Sequence, residues 1–514
     1  MAGVLVLSFI PRQNENMIKI VTLAFSILVF ALSVPMYFMY DLTNPDMQFV
    51  FKANWFPSWG AYYTIGVDGL SLLLILLTTF IMPLAVVAAW NSVHAHVKGF
   101  MISLLMLDAG MIGGFCARDM LLFYVFWEAM LVPMYLIIGI WGHEQRIRAA
   151  VTFFLYTMAG SLFMLVAILY MYFQTAPVIV DGNLISNHSF ALESFMALQL
   201  PYDAQVYLFW AFALAFMVKV PMFPFHTWLP LAHVEAPTVG SVNLAAILLK
   251  MGPYGFMRFC IPFFPAVSEQ YTPVIVTLAL IGIIYGALVA MVQPDAKKLI
   301  AYSSVSHLGF VMLGIYSMNI QAWQGAMVIM IGHGISTGAL FFMVGLLYDR
   351  RHTRLIEEFG GLWKAIPVFS VIFMVVCLSS LGLPGTNGFV GEFLVLLGSF
   401  NSSIEHARLY ATIAMLGVIL AAVYLLWMYQ RVVFGDIKNE KNKSLKDLSI
   451  REYVVLVPFV LLIFWFGIYP KSLTDWTEAT LQKNLKSYRS AIEQVKSKSS
   501  ENEKNKKAAD LHVK

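Results

Sequence analysis

The stretch from Phe212 to Arg258, FALAFMVKVPMFPFHTWLPLAHVEAPTVGSVNLAAILLKMGPYGFMR, sets the tightest limit on what this chain can fold into. It is apolar enough to lie in lipid, yet it carries Lys219, Lys250, two histidines and, before Lys250, four prolines. A lysine at the bilayer centre costs about 2.5–3.5 kcal/mol on insertion scales, so two of them imply a chemical use. The rest of the chain makes lipid the required solvent. Its residues are 60% hydrophobic and 12% charged, with mean hydropathy +0.75, whereas a soluble domain is about 25% charged. The expected fold is an all-α polytopic membrane protein, because helices satisfy their own backbone groups in lipid.

Apolar runs predict crossings at 18–39, 68–90, 99–116, 120–140, 150–173, 205–224, 239–261, 271–292, 297–317, 321–348, 365–400, 410–434 and 453–470. The opening MAGVLVLSFI is about half a span long. With no basic region before it and no small-residue cleavage site after it, it reads as a shortened first helix, or one whose start is placed too late, rather than a signal peptide. Counting it gives about fourteen crossings.

Alternating the loops sorts the charges. Arg12, Lys19, Lys98, Arg146, Arg148, Lys297, Lys298, Arg350, Arg351, Arg354, Lys364, Arg431, Lys438, Lys441, Lys443, Lys446 and Arg451 fall on one side, against Lys52, Arg118 and Arg408 on the other; the tail 471–514, with ten Lys or Arg, violates the pattern locally, as long tails obey it weakly. The positive-inside rule makes the rich side cytoplasmic and puts both termini outside. Residues 1–470 form the transmembrane domain, and 471–514 form an outer-side tail. In that tail 474–492 predicts an amphipathic helix, with Trp476, Leu481, Leu485 and Tyr488 on one face; from Glu493 onward the charged sequence is expected to be disordered.

Two spans carry helix breakers. Pro221 and Pro224 interrupt the seventh, and Gly382, Pro384, Gly385 and Gly388 interrupt the over-long twelfth. Five spans apart, they cross in opposite directions, the pattern of an inverted repeat with broken helices at its functional sites, here spans 4–8 and 9–13.

The intramembrane polar residues define a candidate axis. Glu128 in span five must be protonated or paired across helices, as a structural ion pair or a proton carrier. Burial disfavours the charged form of Lys219 and a nearby carboxylate favours it, so the distance to Glu128 can control its proton. At an effective dielectric of about 20, a pair 4 Å apart attracts by about 4 kcal/mol. The alternative for Lys219 is snorkelling to the interface. Lys250, on one helical face with Asn243 and Tyr254, reads as a relay station or as a cap on the broken seventh helix. His307 and His333, beside Ser or Gly that leave room for water, are relay candidates or packed core histidines. His226 and His233 could serve proton uptake, Glu392 is the candidate release site, and Asp108 has no obvious partner. Asp68 reads as a helix cap. No metal site is expected, since no ligand-spaced second group accompanies the histidines.

Cys116, Cys260 and Cys377 lie far apart and form no Cys-x-x-Cys pair or cluster motif. No Gly-x-Gly-x-x-Gly or phosphate loop occurs. Any redox chemistry that the protein serves is expected elsewhere.

The motifs FWEAMLVPMY, VKVPMFPFHTWLPLAHVEAPTVGSVNLAAILLK, KKLIAYSSVSHLGF and LGLPGTNGFVGEF resemble the antiporter-like subunits of bacterial NADH-quinone oxidoreductase, respiratory complex I, over about residues 11–470. The resemblance implies proton translocation, with Glu128 and Lys219 as the essential pair, Lys250 as the central relay and span twelve supplying the terminal group. A glutamate there, Glu392, where the L and N types carry lysine, favours the M type, as does the lack of a long lateral helix. It also implies L-type and N-type homologues as partners, the bacterial inner membrane as location, and NADH, FMN, iron-sulfur clusters and quinone held by other subunits, with no cofactor in this chain. The alternatives are a subunit of a multisubunit sodium/proton antiporter or of a membrane-bound hydrogenase.

Overall fold

The computed structural model describes residues 1–180 and 183–512. Among them, eleven helices are long and apolar enough to cross a membrane: Glu15–Met39, Leu72–Ala89, Val97–Cys116, Met120–Trp141, Arg146–Tyr172, Thr238–Phe263, Pro265–Met291, Ala296–Tyr316, Ile320–Arg351, Ala407–Val433 and Ile450–Ile468. Each overlaps an apolar run of the sequence. Ala2–Phe9, Tyr202–Lys219, Trp228–Glu235, Pro367–Ser380 and Asn387–Phe400 are further helices.

The helices are not equivalent. The most apolar windows of Thr238–Phe263 and Ile320–Arg351 are fully buried, and that of Ala296–Tyr316 is 94% buried, against 28% for Glu15–Met39 and for Ile450–Ile468. Three helices are therefore sheathed by others with exposed outer faces, and these three carry Lys250, His307 and His333. Small residues let backbones approach within this centre. A Cβ on Gly325 would lie 2.6 Å from Val395 N, and one on Gly391 would lie 2.9 Å from Ile329 N. These contacts bind Ile320–Arg351 to Asn387–Phe400.

Both proline- or glycine-interrupted segments lose their helix where the breakers stand. One helix ends at Lys219 and the next starts at Trp228; the other pair is Pro367–Ser380 and Asn387–Phe400. In the first gap the Trp228 indole donates to Val218 O at 3.0 Å, satisfying a carbonyl freed by the break. In the second, Gly382 and Gly385 adopt φ +81° and +90°, which only glycine takes cheaply.

A third interruption goes beyond the sequence reading. Thr238–Ala246 is α-helical, Ile247 departs to φ −124°, ψ −54°, and Phe256–Cys260 winds as a π-helix. Pro253 bears on its middle: it has no N–H for Leu249 O and its ring crowds that carbonyl, where the chain runs as the 3-10 turn Leu248–Lys250. Of the residues expected to share a face, Asn243 donates to Val239 O, Lys250 to His333 and Tyr254 to Phe115 O, so they do not bond to one another.

The all-helical expectation also needs amendment at the periphery. The long connections form two small antiparallel hairpins, Gln48–Phe56 with Ala61–Val67 and Val178–Val180 with Asn183–Ser186. On the same face lies the helix Lys471–His512, which buries Leu473, Leu481 and Leu485. Trp476 stacks on Tyr37 at 4.1 Å, and Gly69 N donates to Thr480 Oγ1 at 3.1 Å. The amphipathic face thus packs on protein. The helix also continues past Glu493, where the sequence predicts disorder; Lys, Glu, Ala and Gln are good helix formers, and residues 513 and 514 lie outside the described residues.

Candidate functional site

Lys219, the last residue of its helix, is 1% exposed and has no hydrogen-bond partner among the described residues. Its ammonium sits over the Trp127 and Phe153 rings, at 5.3 and 5.7 Å from their centroids. Snorkelling is excluded by this burial. Glu128 acts on Lys219 electrostatically, but Glu128 Oε1 also has no hydrogen-bond partner among the described residues. The expected ion pair is therefore open, and aromatic faces rather than a carboxylate cradle the cation.

Lys250 is fully buried and donates to Ala245 O and to His333 Nδ1, the latter at 2.7 Å. The Ala245 carbonyl belongs to the turn disrupted at Ile247, so Lys250 caps its own interrupted helix rather than the seventh span. From His333 the polar path continues. The His333 and His307 rings stand edge to face with centroids 5.6 Å apart, and His307 Nε2 lies 3.9 Å from Glu392 Oε1. His333 Nε2 and His307 Nε2 have no hydrogen-bond partner among the described residues. Both residues line a cavity with Glu392, Ser336, Thr337 and Ser379 that leaves about 20 Å³ for a water centre, room for about one water.

Backbone geometry fixes that end of the site. A Cβ on Gly382 would stand 2.6 Å from Glu392 Oε2, so the glycine lets the break close over the carboxylate. Ser336 Oγ and Ser379 Oγ share a hydrogen bond of 2.7 Å, and Asn387 Nδ2 donates to Gly332 O at 3.2 Å, tying the break to the helix that carries His333.

The structure does not join the other candidates to this path. His226 lies in the first break, packed against the Phe223 and Tyr285 rings, and neither nitrogen has a hydrogen-bond partner among the described residues. His233 stacks on Phe341 at 4.6 Å and is within electrostatic reach of Lys250 and Lys297. Asp108 is buried, its Oδ1 without a partner among the described residues.

Two features escaped the sequence reading. Asp68 does cap its turn, accepting from Leu70 N and Ser71 N, but it also forms a buried 2.6 Å ion pair with Arg258. Burial opposes its charge, while Arg258 and the backbone donors together hold its carboxyl below the usual range. Arg258 also donates through Nε to Tyr254 Oη, and Tyr254 Oη donates to Phe115 O. The π-helical segment is thus tied to the hairpin face. Nothing in the spacing of 190 residues could have paired the two. Lys297, counted with the loop charges, is instead 4% exposed and donates to Ala236 O at 2.5 Å.

Near Lys297, the loop residue His143 meets Tyr348 Oη at 3.3 Å through Nδ1. Burial, then the charges of Lys297 and Arg354, push His143 down from 6.5 to about 4. The folded protein therefore resists a proton that the unfolded chain accepts. Stability is intact above pH 6.5 and falls as pH drops toward about 4. His143→Gln is expected to flatten the difference between thermal midpoints measured at about pH 7.5 and about pH 5; an unchanged difference would remove His143 from the acid response.

Residues 117–420, which include both interrupted segments and Glu392, match the family model described as NADH:quinone oxidoreductase/Mrp antiporter, TM. The chain is 47% identical to NADH-quinone oxidoreductase subunit M of Rhodobacter capsulatus over 473 residues, covering 90% of each. It is 44% identical to NADH-ubiquinone oxidoreductase chain 4 of Arabidopsis thaliana over 474 residues, covering 92% of each. Its structure superposes on a chain of respiratory complex I from Thermus thermophilus with TM-score 0.82 at 33% identity, covering 94% of this chain and 97% of that one. The chain belongs to the antiporter-like membrane subunits of NADH:quinone oxidoreductases and, within them, to the subunit M group. Those relatives are parts of multisubunit membrane enzymes.

Proposed function

We propose that this chain translocates protons as a membrane-arm subunit of NADH:quinone oxidoreductase, with Glu128, Lys219, Lys250 and Glu392 as the proton-carrying groups. The observation that carries the reading is the run Lys250–His333–His307–Glu392, in which each group lies within direct or one-water reach of the next. Lys250 donates to Nδ1 of His333, which leaves Nε2 of the neutral ring as the N–H facing the cavity. A water there can pass a proton toward His307 and Glu392 while Lys250 is refilled.

Uptake occurs from the face rich in basic residues, through the region of Lys297 and His233, and release occurs at the hairpin face. Closing the open Glu128–Lys219 gap would hold a proton on Lys219, and opening it would drive the proton toward Lys250. The scale is adequate: moving one charge against 100 mV costs about 2.3 kcal/mol, less than the roughly 4 kcal/mol of a pair closed to 4 Å. His226 and Asp108 have supporting rather than axial positions.

In this reading the chain crosses the membrane about fourteen times. Beyond the eleven long helices that count takes the interrupted run from Tyr202 to Glu235, the interrupted run from Pro367 to Phe400 and, as a shortened first helix of half a span, Ala2–Phe9, with inverted repeats over spans 4–8 and 9–13. Both termini lie outside a bacterial inner membrane, L-type and N-type homologues are the neighbours, and NADH, FMN, iron-sulfur clusters and quinone belong to other subunits.

Lys250→Met tests the proposal. In the complex reconstituted into vesicles, acidification per NADH oxidised is expected to fall by the share due to this subunit, and His307→Ala with His333→Ala should reproduce the loss. Undiminished pumping in Lys250→Met would overturn the axis.

A further inference from the structure

We propose that the cavity between the ends of helices Glu15–Met39, Val97–Cys116 and Met120–Trp141 is a binding site for the phosphodiester headgroup of an anionic membrane lipid. The cavity measures about 720 Å³, and Arg12, Glu15, His96, Lys98, Ile140 and Trp141 are among its lining residues. It opens on the face that collects the basic residues and shares no lining residue with the cavity of the Lys250–Glu392 path.

Its chemistry divides in two. On one side stand Arg12 and Lys98. Arg12 is exposed and has no hydrogen bond or ion pair among the described residues. Lys98 donates to Ser8 O at 2.9 Å and Ile10 O at 2.8 Å, carbonyls that orient its ammonium but leave its charge without a carboxylate. The first turn of Val97–Cys116 adds backbone N–H groups, because His96 at its N-cap takes φ +52° and supplies no side-chain cap. Glu15 is the one acid among the lining residues, so basic groups outnumber it.

On the other side stand Ile102, Ile140 and Trp141, which offer nothing to a free phosphate and a wall to glycerol and the start of an acyl chain. Trp141 is anchored by its indole donating to Ala95 O at 2.6 Å, as interfacial tryptophans are. Ile140 in the lining exposes 43% of its surface, and on the helices Ala2–Phe9 and Glu15–Met39 that flank Arg12, Leu5, Phe9 and Ile20 expose 65%, 87% and 57%. In a membrane protein such side chains face lipid tails. A basic recess whose rim is apolar at the membrane boundary selects a lipid whose headgroup is an anion.

The test is native mass spectrometry of the full chain in detergent, titrated with phosphatidylglycerol, with phosphatidylcholine and inorganic phosphate as comparison probes. Phosphatidylglycerol is expected to bind more tightly than phosphatidylcholine. A basic charge near a membrane surface is worth about fivefold in affinity. Arg12→Gln, at an exposed position whose loss cannot unfold the chain, should therefore weaken phosphatidylglycerol about fivefold, and Glu15→Gln should strengthen it about as much. Lys438→Gln, an exposed change on the same face, should leave it unaltered. Equal binding of the two lipids, or an Arg12→Gln variant that binds as the parent does, overturns the site. Competition by inorganic phosphate at concentrations comparable to the lipid's overturns the lipid in favour of a soluble anion.

Discussion

Glu128→Gln is expected to abolish proton translocation through this subunit while the complex still assembles and oxidises NADH. Glutamine matches glutamate in shape, so the helix Met120–Ala129 keeps its packing and only the charge is lost. That charge is the one carboxylate acting on Lys219; what remains around the ammonium is the aromatic pair Trp127 and Phe153. A cation–π contact in a desolvated site is worth about 2 kcal/mol, below the roughly 4 kcal/mol of a closed ion pair at an effective dielectric of about 20. It is also constant, because rings do not ionise. Without Glu128 the lysine has a cradle but no switch. The measurement is vesicle acidification alongside NADH oxidation: acidification should drop with oxidation preserved, and Glu128→Asp should restore part of it. Full pumping in Glu128→Gln would sink the proposed role of the pair.

Arg258→Met is expected to destabilise the protein by about 3–5 kcal/mol, because it strands a buried carboxylate. Arg258 and Asp68 are 8% and 3% exposed, and their 2.6 Å bond joins the π-helical segment to the turn beneath Thr480. Removing the cation leaves Asp68 with the Leu70 and Ser71 backbone donors and the Ser71 hydroxyl, none of them charged. The double variant Asp68→Asn with Arg258→Met removes the uncompensated charge while keeping an acceptor for Leu70 N and Ser71 N, so most of the loss should return. Thermal unfolding in detergent of the single and double variants checks this. A single variant as stable as the double would mean that the pair is solvated, contrary to its burial.

The apolar runs located the long helices to within a few residues, because a bilayer fixes how many apolar residues a crossing needs and polar loops end it. Pro221, Pro224 and the glycines at 382, 385 and 388 located two interruptions for the same local reason. Pro253 carried an equal signal for the third, but one proline inside an otherwise continuous run is also compatible with a kinked helix. What the runs could not show were the hairpins at Gln48–Val67 and Val178–Ser186, whose partners are set by strand pairing in a region of mixed composition.

By itself the sequence determined the solvent, the helices and the identity of the titratable groups: Glu128, Lys219, Lys250, His307, His333 and Glu392 stand in apolar runs, and each needs a reason to be there. Only the tertiary structure decided which of them meet. It set Lys250 against His333, His307 against Glu392 and Arg258 against Asp68, and it placed aromatic rings rather than a bonded carboxylate around Lys219. Helical period orders side chains along one helix, whereas contacts between helices depend on how backbones cross. Those crossings are fixed by close approaches such as Gly325 on Val395 and Gly391 on Ile329, between residues with no local relation in the chain.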